Sequence, residues 1–221
     1  MDTKRGANVL FAANFRTGLV EMFDNTFAPV TLTTSAFHDP EIPAGYAPFN
    51  VQNVTGNIAV AFAKQDAAAH DEVDGAGNGY VDIFTPEGTL VLRLHHGQWM
   101  NAPWAVTLAP ADFGKPGKKF LVGNFGSGEI AAFNDSGDFH GLLRGAEGKR
   151  VVIDGLWGLA FGNGGSAGAA SVLYFAAGPG GEQHGLFGTL TMTGDKDDDD
   201  GQGNGNGDDH GGKDGGKDGG H

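Results

Sequence analysis

The chain carries NFRTGLVEMF at residues 14–23 and NFGSGEIAAF at residues 124–133, and both stretches have the pattern Asn-Phe-x-x-Gly-x-x-x-x-Phe with identical spacing. The second half of this pattern returns from Gly79 to Phe84 and from Gly185 to Leu190. Strand-like segments that recur about every 50 residues are typical of radial or solenoid arrays. Phe23 and Phe133 are therefore expected at equivalent core positions of two repeats.

A second repeated theme precedes three of these segments. It appears as APFNV at residues 47–51, APWAV at residues 102–106 and GLWGL at residues 155–159. The aromatic side chains Trp104 and Trp157 at matched strand starts, like Phe15 and Phe125, are interpreted as packing between repeats. A stacking platform for a ligand is the alternative interpretation for the two tryptophans.

The two themes divide the chain into four units of short strands, and we predict an all-β fold. The fold class is a β-propeller, in which small four-stranded sheets (blades) repeat radially. About four blades are expected, at residues 8–34, 48–95, 103–144 and 156–193, with the first and last incomplete. The incomplete first and last blades indicate that the chain is part of a larger, six-bladed propeller. A β-sandwich is the alternative fold. Residues 195–221, rich in Asp and Gly, are predicted to form a disordered tail.

Charge and composition exclude several classes of function. The formal net charge is −13, which repels phosphate backbones, so nucleic acid is not an expected partner. No apolar stretch is long enough to span a bilayer, and membrane insertion is not expected. The chain has no cysteine, which excludes disulfides and thiolate metal sites. The first six residues lack the order of a secretory signal.

Several runs resemble an uncharacterised family of bacterial β-propeller proteins, many of them exported and some ending in a PEP-CTERM sorting signal. The runs that carry the resemblance are PAGYAPFN at residues 43–50, AKQD at 63–66, His70-Asp71, GNG at 77–79, LVGNFG at 121–126 and IDGLWGL at 153–159. The resemblance covers residues 8–192. It implies a propeller with further blades before the first residue, and export from the cell.

In a propeller, the loops that join the second strand to the third and one blade to the next emerge on one face. This rim is the expected binding face, because rigid scaffolds commonly place function on loops. The candidate ligand-binding residues on it are Asp66, His70, Asp71, Asn124, Asp154 and His184.

The longest loop, residues 64–79, is also a candidate metal site. Asp66, His70, Asp71 and Asp74 offer carboxylates and one imidazole to a hard cation, of which Ca²⁺ is the candidate cofactor. A solvated polar loop is the simpler interpretation of the same residues.

No catalytic motif occurs, so the preferred function is a non-catalytic propeller that binds a small ligand or a protein partner through this rim. Unpaired blade edges would also permit oligomers. One alternative is a calcium-dependent hydrolase of the lactonase type, with Asn14, Asn124, Asp154 and Asp66 around the central channel. Another is a truncated, inactive gene copy.

Overall fold

The computed structural model describes residues 8–192, which form fourteen β-strands and no helix. The first sheet contains β1 (Leu10–Asn14), β2 (Leu19–Phe23) and β3 (Pro29–Val30), and the second contains β4 (Tyr46–Val54), β5 (Asn57–Lys64), β6 (Gly79–Phe84) and β7 (Leu90–Arg93). The third sheet contains β8 (Pro103–Leu108), β9 (Phe120–Asn124), β10 (Ile130–Phe133) and β11 (Phe139–Leu142). The fourth contains β12 (Leu156–Phe161), β13 (Leu173–Ala177) and β14 (Leu186–Leu190).

Within each sheet the strands follow one another in chain order, and every neighbouring pair is antiparallel. Tight turns make this possible, because glycines at positive φ close them: Gly88 and Gly137 have φ of 84° and 85° at the turns into β7 and β11. The chain therefore builds four separate up-and-down sheets rather than one continuous sheet or two stacked ones. This is a partial β-propeller, as the repeats predict.

The sheets pack face to face through three buried apolar clusters, one at each boundary. The strands β1, β4, β8 and β12 lie against one another in that order, so they form the inner edge of the array. The cluster between the first and second sheets includes Val20, Val60, Phe62 and Phe84; the next includes Val81, Met100, Val106 and Phe133; the last includes Leu121, Ile130, Leu156 and Leu173. Apolar burial at these boundaries is what stabilises the array.

The phenylalanine that ends the repeated pattern is buried in two sheets and only partly buried in the first. Phe84 and Phe133 have no exposed surface, because each faces the preceding sheet. Phe23 is only partly covered, since no described sheet lies on that side of the first sheet. The expectation that Phe23 and Phe133 have equivalent surroundings is therefore wrong in burial, although their positions in the strand order match.

The first and last sheets have three strands each within residues 8–192. Asn14 ends β1 as Asn124 ends β9, so β1 corresponds to the second strand of the third sheet. The fourth sheet, by the same correspondence, has the first three strands of a blade. The prediction of incomplete first and last blades is thus confirmed for the described residues; the predicted tail at 195–221 lies outside them.

One side chain connects three sheets at the inner edge. Gln52 on β4 accepts a hydrogen bond from the backbone N–H of Val106 on β8, at 3.1 Å. Its amide nitrogen donates to the carbonyl oxygen of Leu159 on β12, at 3.3 Å. Gln52 therefore satisfies backbone groups of two inner strands that have no strand partner on that side.

Candidate functional site, an aromatic cluster with an acidic border

The repeated APF, APW and GLW theme places an aromatic residue at a β-bulge in three sheets. The register of β4 with β5 shifts between Pro48 and Asn50, and that of β8 with β9 shifts between Pro103 and Ala105. The register of β12 with β13 shifts between Leu156 and Gly158. Phe49, Trp104 and Trp157 are thus the extra residues of three equivalent bulges. A bulge redirects its side chain, and bulges are common beside functional sites.

The repeated Asn-Phe pair supplies two more rings to the same place. Phe15 follows the end of β1, and Phe125 follows the end of β9. Phe15 lies 5.2 Å from Phe49, and Phe49 lies 5.6 Å from Trp157, measured between ring centroids. Trp157 also contacts Phe125, at 4.3 Å, and Trp104, at 5.4 Å. We name these five residues, Phe15, Phe49, Trp104, Phe125 and Trp157, the ring cluster.

The ring cluster receives side chains from all four sheets and is not sealed from solvent. Each of its five residues is only partly buried, in contrast to the closed apolar clusters between the sheets. The interpretation of Trp104 and Trp157 as packing between blades is right for their contacts with each other and with Phe125. Partly exposed aromatic faces of this kind also form a stacking surface, which was the alternative interpretation.

Acidic side chains lie beside the ring cluster. The indole N–H of Trp157 donates to Glu182 Oε1, at 2.7 Å. A Cβ atom added to Gly126 would lie 2.3 Å from Asp74 Oδ1, so the carboxylate of Asp74 rests on the backbone beside Phe125. We name Glu72, Asp74 and Glu182 the acidic border.

The shifted pKa values within the acidic border reflect burial and several negative charges that lie close together. Burial raises the pKa of Glu72, and the charges of Asp74, Asp71 and Glu182 raise it further. Partial burial likewise raises the pKa of Asp74. Like charges near one another disfavour ionisation of each, so a cation bound here would relieve the repulsion.

The loop that carries Glu72 and Asp74 is held in place by hydrogen bonds of amide side chains. Asn101 Oδ1 accepts from the N–H of Gly75 at 2.7 Å, and Asn124 Oδ1 accepts from the N–H of Asn101 at 2.9 Å. Gln65 donates to the carbonyl oxygen of Phe15. Asn124, one of the predicted rim ligands, is fully buried, and through its bond with Asn101 it helps to order the loop beneath the acidic border. Its role as a ligand stays a prediction.

Three other predicted rim residues lie together within the loop at 64–79. Asp66 Oδ1 accepts hydrogen bonds from the backbone N–H groups of His70, at 2.8 Å, and Asp71, at 3.4 Å. The hydrogen bond from the His70 N–H is the main cause of the lowered pKa of Asp66. His70 Nδ1 lies 3.1 Å from Asp71 Oδ1, and both side chains are largely exposed. Asp66 therefore shapes the turn that presents His70 and Asp71.

Of the remaining predicted residues, Asp154 links two loops and Asn14 caps its own turn. Asp154 Oδ2 accepts from the N–H of Gly180, on the loop between β13 and β14, at 2.9 Å. Asn14 Oδ1 accepts from the N–H of Thr17 at 3.1 Å. His184 is exposed on the loop between β13 and β14, the loop that also carries Glu182.

The predicted metal ligands do not form a cage in this structure. Within residues 8–192, no three His, Asp or Glu side chains come together in a way that could hold a metal ion. Asp66 faces its own turn, whereas Asp74 faces Gly126. The metal site at Asp66, His70, Asp71 and Asp74 thus stays a prediction without a geometric argument.

Residues 8–192 do not contain a helix of the length and apolarity needed to cross a bilayer.

Comparison with known proteins gives relatives of viral origin. Three uncharacterized proteins of Acanthamoeba polyphaga mimivirus are 35%, 34% and 31% identical to the chain over 157, 157 and 156 residues. The matches cover 69%, 69% and 68% of this chain but 39%, 42% and 29% of the relatives. The chain thus spans about two fifths or less of the length of these proteins. No protein-family model matches it.

These relatives overturn one expectation. The resemblance of the sequence runs quoted above predicts a bacterial family, but the curated relatives point to a viral family, so the bacterial placement is wrong. The export implied by that resemblance loses its basis with it.

Among solved structures, a Bacteroides caccae protein of unknown function has a TM-score of 0.45 at 14% identity, covering 86% of this chain and 59% of its own. A putative 6-phosphogluconolactonase from Bacteroides uniformis has a TM-score of 0.37 at 15% identity, covering 85% and 68%.

Proposed function

We propose that the chain is a non-catalytic binding module whose ring cluster and acidic border take an arginine side chain from a partner protein. The observation that carries this proposal is the contact of the ring cluster with the acidic border. Trp157 is partly exposed, stacks near Phe125 and donates to Glu182. A planar guanidinium matches both parts, since it stacks on aromatic faces and donates to carboxylates in a fixed geometry.

The energetics favour a cation with an extended flat surface. A cation over an aromatic face is stabilised by about 0.5–1 kcal/mol when exposed and by about 2 kcal/mol when desolvated. The positive charge also lowers the electrostatic cost of ionising Glu72 and Asp74, whose pKa values are raised. The net charge of −13 attracts a basic segment over longer distances and increases its association rate.

Two rim residues predicted from the sequence lie at the edge of this surface. His70 and Asp71 are exposed on the same loop as Glu72, and the charge of Asp71 acts on Glu72. We assign them a peripheral role, so Asp71→Ala should weaken binding by about threefold or less, as exposed charges usually do. His184 lies on the same loop as Glu182, and Asp154 accepts a hydrogen bond from Gly180 of that loop.

A titration with matched peptides tests the proposal. The probe is the acetylated and amidated tripeptide Gly-Arg-Gly, and its neutral counterpart carries citrulline, which keeps the shape but not the charge. Tryptophan fluorescence reports binding, because Trp104 and Trp157 belong to the ring cluster. The arginine peptide should change the emission saturably, whereas the citrulline peptide should bind at least about tenfold more weakly.

Two variants separate this surface from the rest of the molecule. Trp157→Leu and Glu182→Gln should each weaken the binding of the arginine peptide by about tenfold. The first removes the aromatic face and the second removes the carboxylate that the guanidinium would contact. Trp99→Phe is the control, since Trp99 stacks on Phe139 outside the ring cluster. Equal affinity for the two peptides, or equal loss in all three variants, would rule the proposal out.

The hydrolase alternative has no comparable support. Its candidate residues Asn14, Asn124 and Asp154 are each occupied by hydrogen bonds within or beside their own loops. It therefore remains a prediction from fold analogy.

A further inference from the structure

A pair of buried aspartates lies on the side of the second sheet that faces the first. Asp82 is in the middle of β6 and is 3% exposed, and Asp39 is on the segment before β4 and is 4% exposed. Arg93, at the end of β7, holds Asp39 through two hydrogen bonds, from Nε to Oδ2 at 2.6 Å and from Nη2 to Oδ1 at 2.8 Å. Asp39 therefore has its charge compensated.

Asp82 has no such partner. Its Oδ2 atom is buried, and no donor in the described part of the chain reaches it. Burial, followed by the charge of Asp39, raises the pKa of Asp82 to about 8. The neutral carboxyl can donate its proton to Asp39, whereas the ionised form leaves a buried carboxylate without a donor. Buried polar atoms without a partner are rare and call for an explanation.

Asp82 is one of the residues that line an open cavity of about 310 Å³. Polar and apolar groups share its wall, and the residues that matter here are Glu41, Ile42, Tyr80, Asp82, His95 and His96. The ring of His96 stacks on that of Tyr80, with centroids 4.3 Å apart, which fixes one side of the wall. The size is at the lower end of small-molecule sites.

The groups that face Asp82 come from each neighbouring element. The segment before β4 contributes Asp39 and Glu41, β6 contributes Tyr80, and β7 contributes Arg93. His95 and His96 follow β7 and complete the wall. Apart from the two histidines, the charged groups beside a protonated Asp82 are the carboxylates of Asp39 and Glu41 and the guanidinium of Arg93, which together carry a negative charge.

We propose that this cavity binds a small primary ammonium ion, and that Asp82 gives up its proton to solvent when the ammonium binds. An ammonium bound against Asp82 would offer N–H donors to its carboxyl group, whose Oδ2 atom has no hydrogen-bond partner among residues 8–192 and becomes reachable by a rotation of the carboxyl group. It also compensates the charge that appears when Asp82 ionises, which burial otherwise disfavours. The site is separate from the ring cluster, so it does not depend on the function proposed above.

The chemistry selects an ammonium over other donors. A neutral alcohol could donate to Asp82 Oδ2 but would leave an ionised Asp82 uncompensated. A quaternary ammonium carries the charge but has no N–H donor. An alkylammonium stays protonated below about pH 10, as lysine does, so it is present in the required form around neutrality.

The test is calorimetric titration with propylammonium, with 1-propanol and tetramethylammonium as matched probes. Measuring near pH 7 in buffers of different ionisation enthalpy gives the number of protons released. We expect release of up to about one proton per propylammonium bound. The affinity should rise about tenfold from about pH 6 to about pH 7 and level off above about pH 8.

The variant Asp82→Asn keeps the side-chain size and cannot ionise. The substitution should abolish proton release and weaken the binding of propylammonium by about tenfold or more. Glu87→Gln is the control, because Glu87 is exposed on the turn between β6 and β7 and carries the same charge. It should bind and release protons as the unaltered chain does.

A measurement on the unaltered chain keeps the proposal testable if Asp82→Asn does not fold. The ¹³C resonance of the Asp82 carboxyl group should move to the ionised position when propylammonium is added near pH 7. The indole N–H resonance of Trp157 should stay in place, because Trp157 belongs to the ring cluster and not to this cavity. Each of three results would overturn the proposal. The Asp82 resonance does not move when propylammonium is added, 1-propanol binds as tightly as propylammonium, or Asp82→Asn binds propylammonium with undiminished affinity.

Discussion

Phe125 and Trp157 lie ring against ring across the boundary between the third and fourth sheets, with centroids 4.3 Å apart and planes 34° apart. Phe125 belongs to the Asn-Phe pattern, and Trp157 belongs to the bulge theme. The two repeated motifs therefore meet in space although each marks a different strand. Because both rings stay partly exposed, the contact is a surface as well as a packing interaction.

Two glycines at the same position of the repeated pattern should respond differently to alanine. Gly18 and Gly128 have φ of 73° and 68°, so either substitution places alanine in the left-handed region, at about 1–2 kcal/mol. A Cβ atom on Gly128 would also lie 2.3 Å from the carbonyl oxygen of Ile153, whereas Gly18 has nothing within 4 Å. Urea unfolding should show a loss for Gly128→Ala that is larger by about 2 kcal/mol or more. Equal losses would mean that the fourth sheet does not close over Gly128.

Arg93→Ala should destabilise the chain because it leaves the buried Asp39 without its partner. The side chain of Asp39 is 1% exposed, and removing one member of a pair with a buried charge costs about 3 kcal/mol. Lys149→Ala is the control: Lys149 and Glu147 are 83% and 77% exposed, and such pairs contribute less than about 1 kcal/mol. Chemical denaturation of the two variants measures the difference. A loss for Arg93→Ala no larger than that for Lys149→Ala would contradict the buried pair.

Asp82 should make stability fall as pH rises through the neutral range. Its pKa is about 8 in the folded chain and 3.8 as the ordinary value, so the folded state holds a proton that the unfolded state has lost between these limits. Its contribution is therefore complete below about pH 4 and is lost as pH rises towards about 8, by up to about 1.4 kcal/mol per pH unit. Asp39, with a lowered pKa, acts in the opposite sense and only below about pH 4.

Asp82→Asn removes this dependence. The free energy of unfolding of the variant, relative to that of the unaltered chain, should increase from about pH 5 to about pH 8 and then become constant. Denaturation across this range measures it. A difference that does not change with pH would show that Asp82 is ionised throughout.

The strand pattern was predictable from the sequence because it depends on short-range signals. The repeated motifs and the glycine-bearing turns predicted about four blades of short strands, and β2 at Leu19–Phe23 is the second half of the first repeated pattern. The same repeats also predicted that the first and last sheets are incomplete. Phe23 was placed correctly in the order but not in its burial, since burial depends on a neighbouring sheet.

The candidate site was less predictable, because it depends on side-chain direction. The APF, APW and GLW theme was visible, but it does not show that Phe49, Trp104 and Trp157 are bulged residues whose rings meet. Equally, the sequence made Asn124 a candidate ligand on the rim but did not show that it is fully buried and bonded to the backbone of Asn101. The buried pair of Asp82 and Asp39 could not be predicted, because an aspartate within a strand pattern does not reveal which residue lies opposite it.

The most direct test of the proposed function is the set of indole N–H resonances in a ¹H–¹⁵N spectrum. The chain has three tryptophans, and their N–H groups lie in different settings: that of Trp157 donates to Glu182, and that of Trp99 donates to the carbonyl oxygen of His95. Addition of the Gly-Arg-Gly peptide should shift the Trp157 and Trp104 resonances and leave Trp99 in place, and the citrulline peptide should shift none. Three unmoved resonances, or a shift confined to Trp99, would contradict a guanidinium site at the ring cluster.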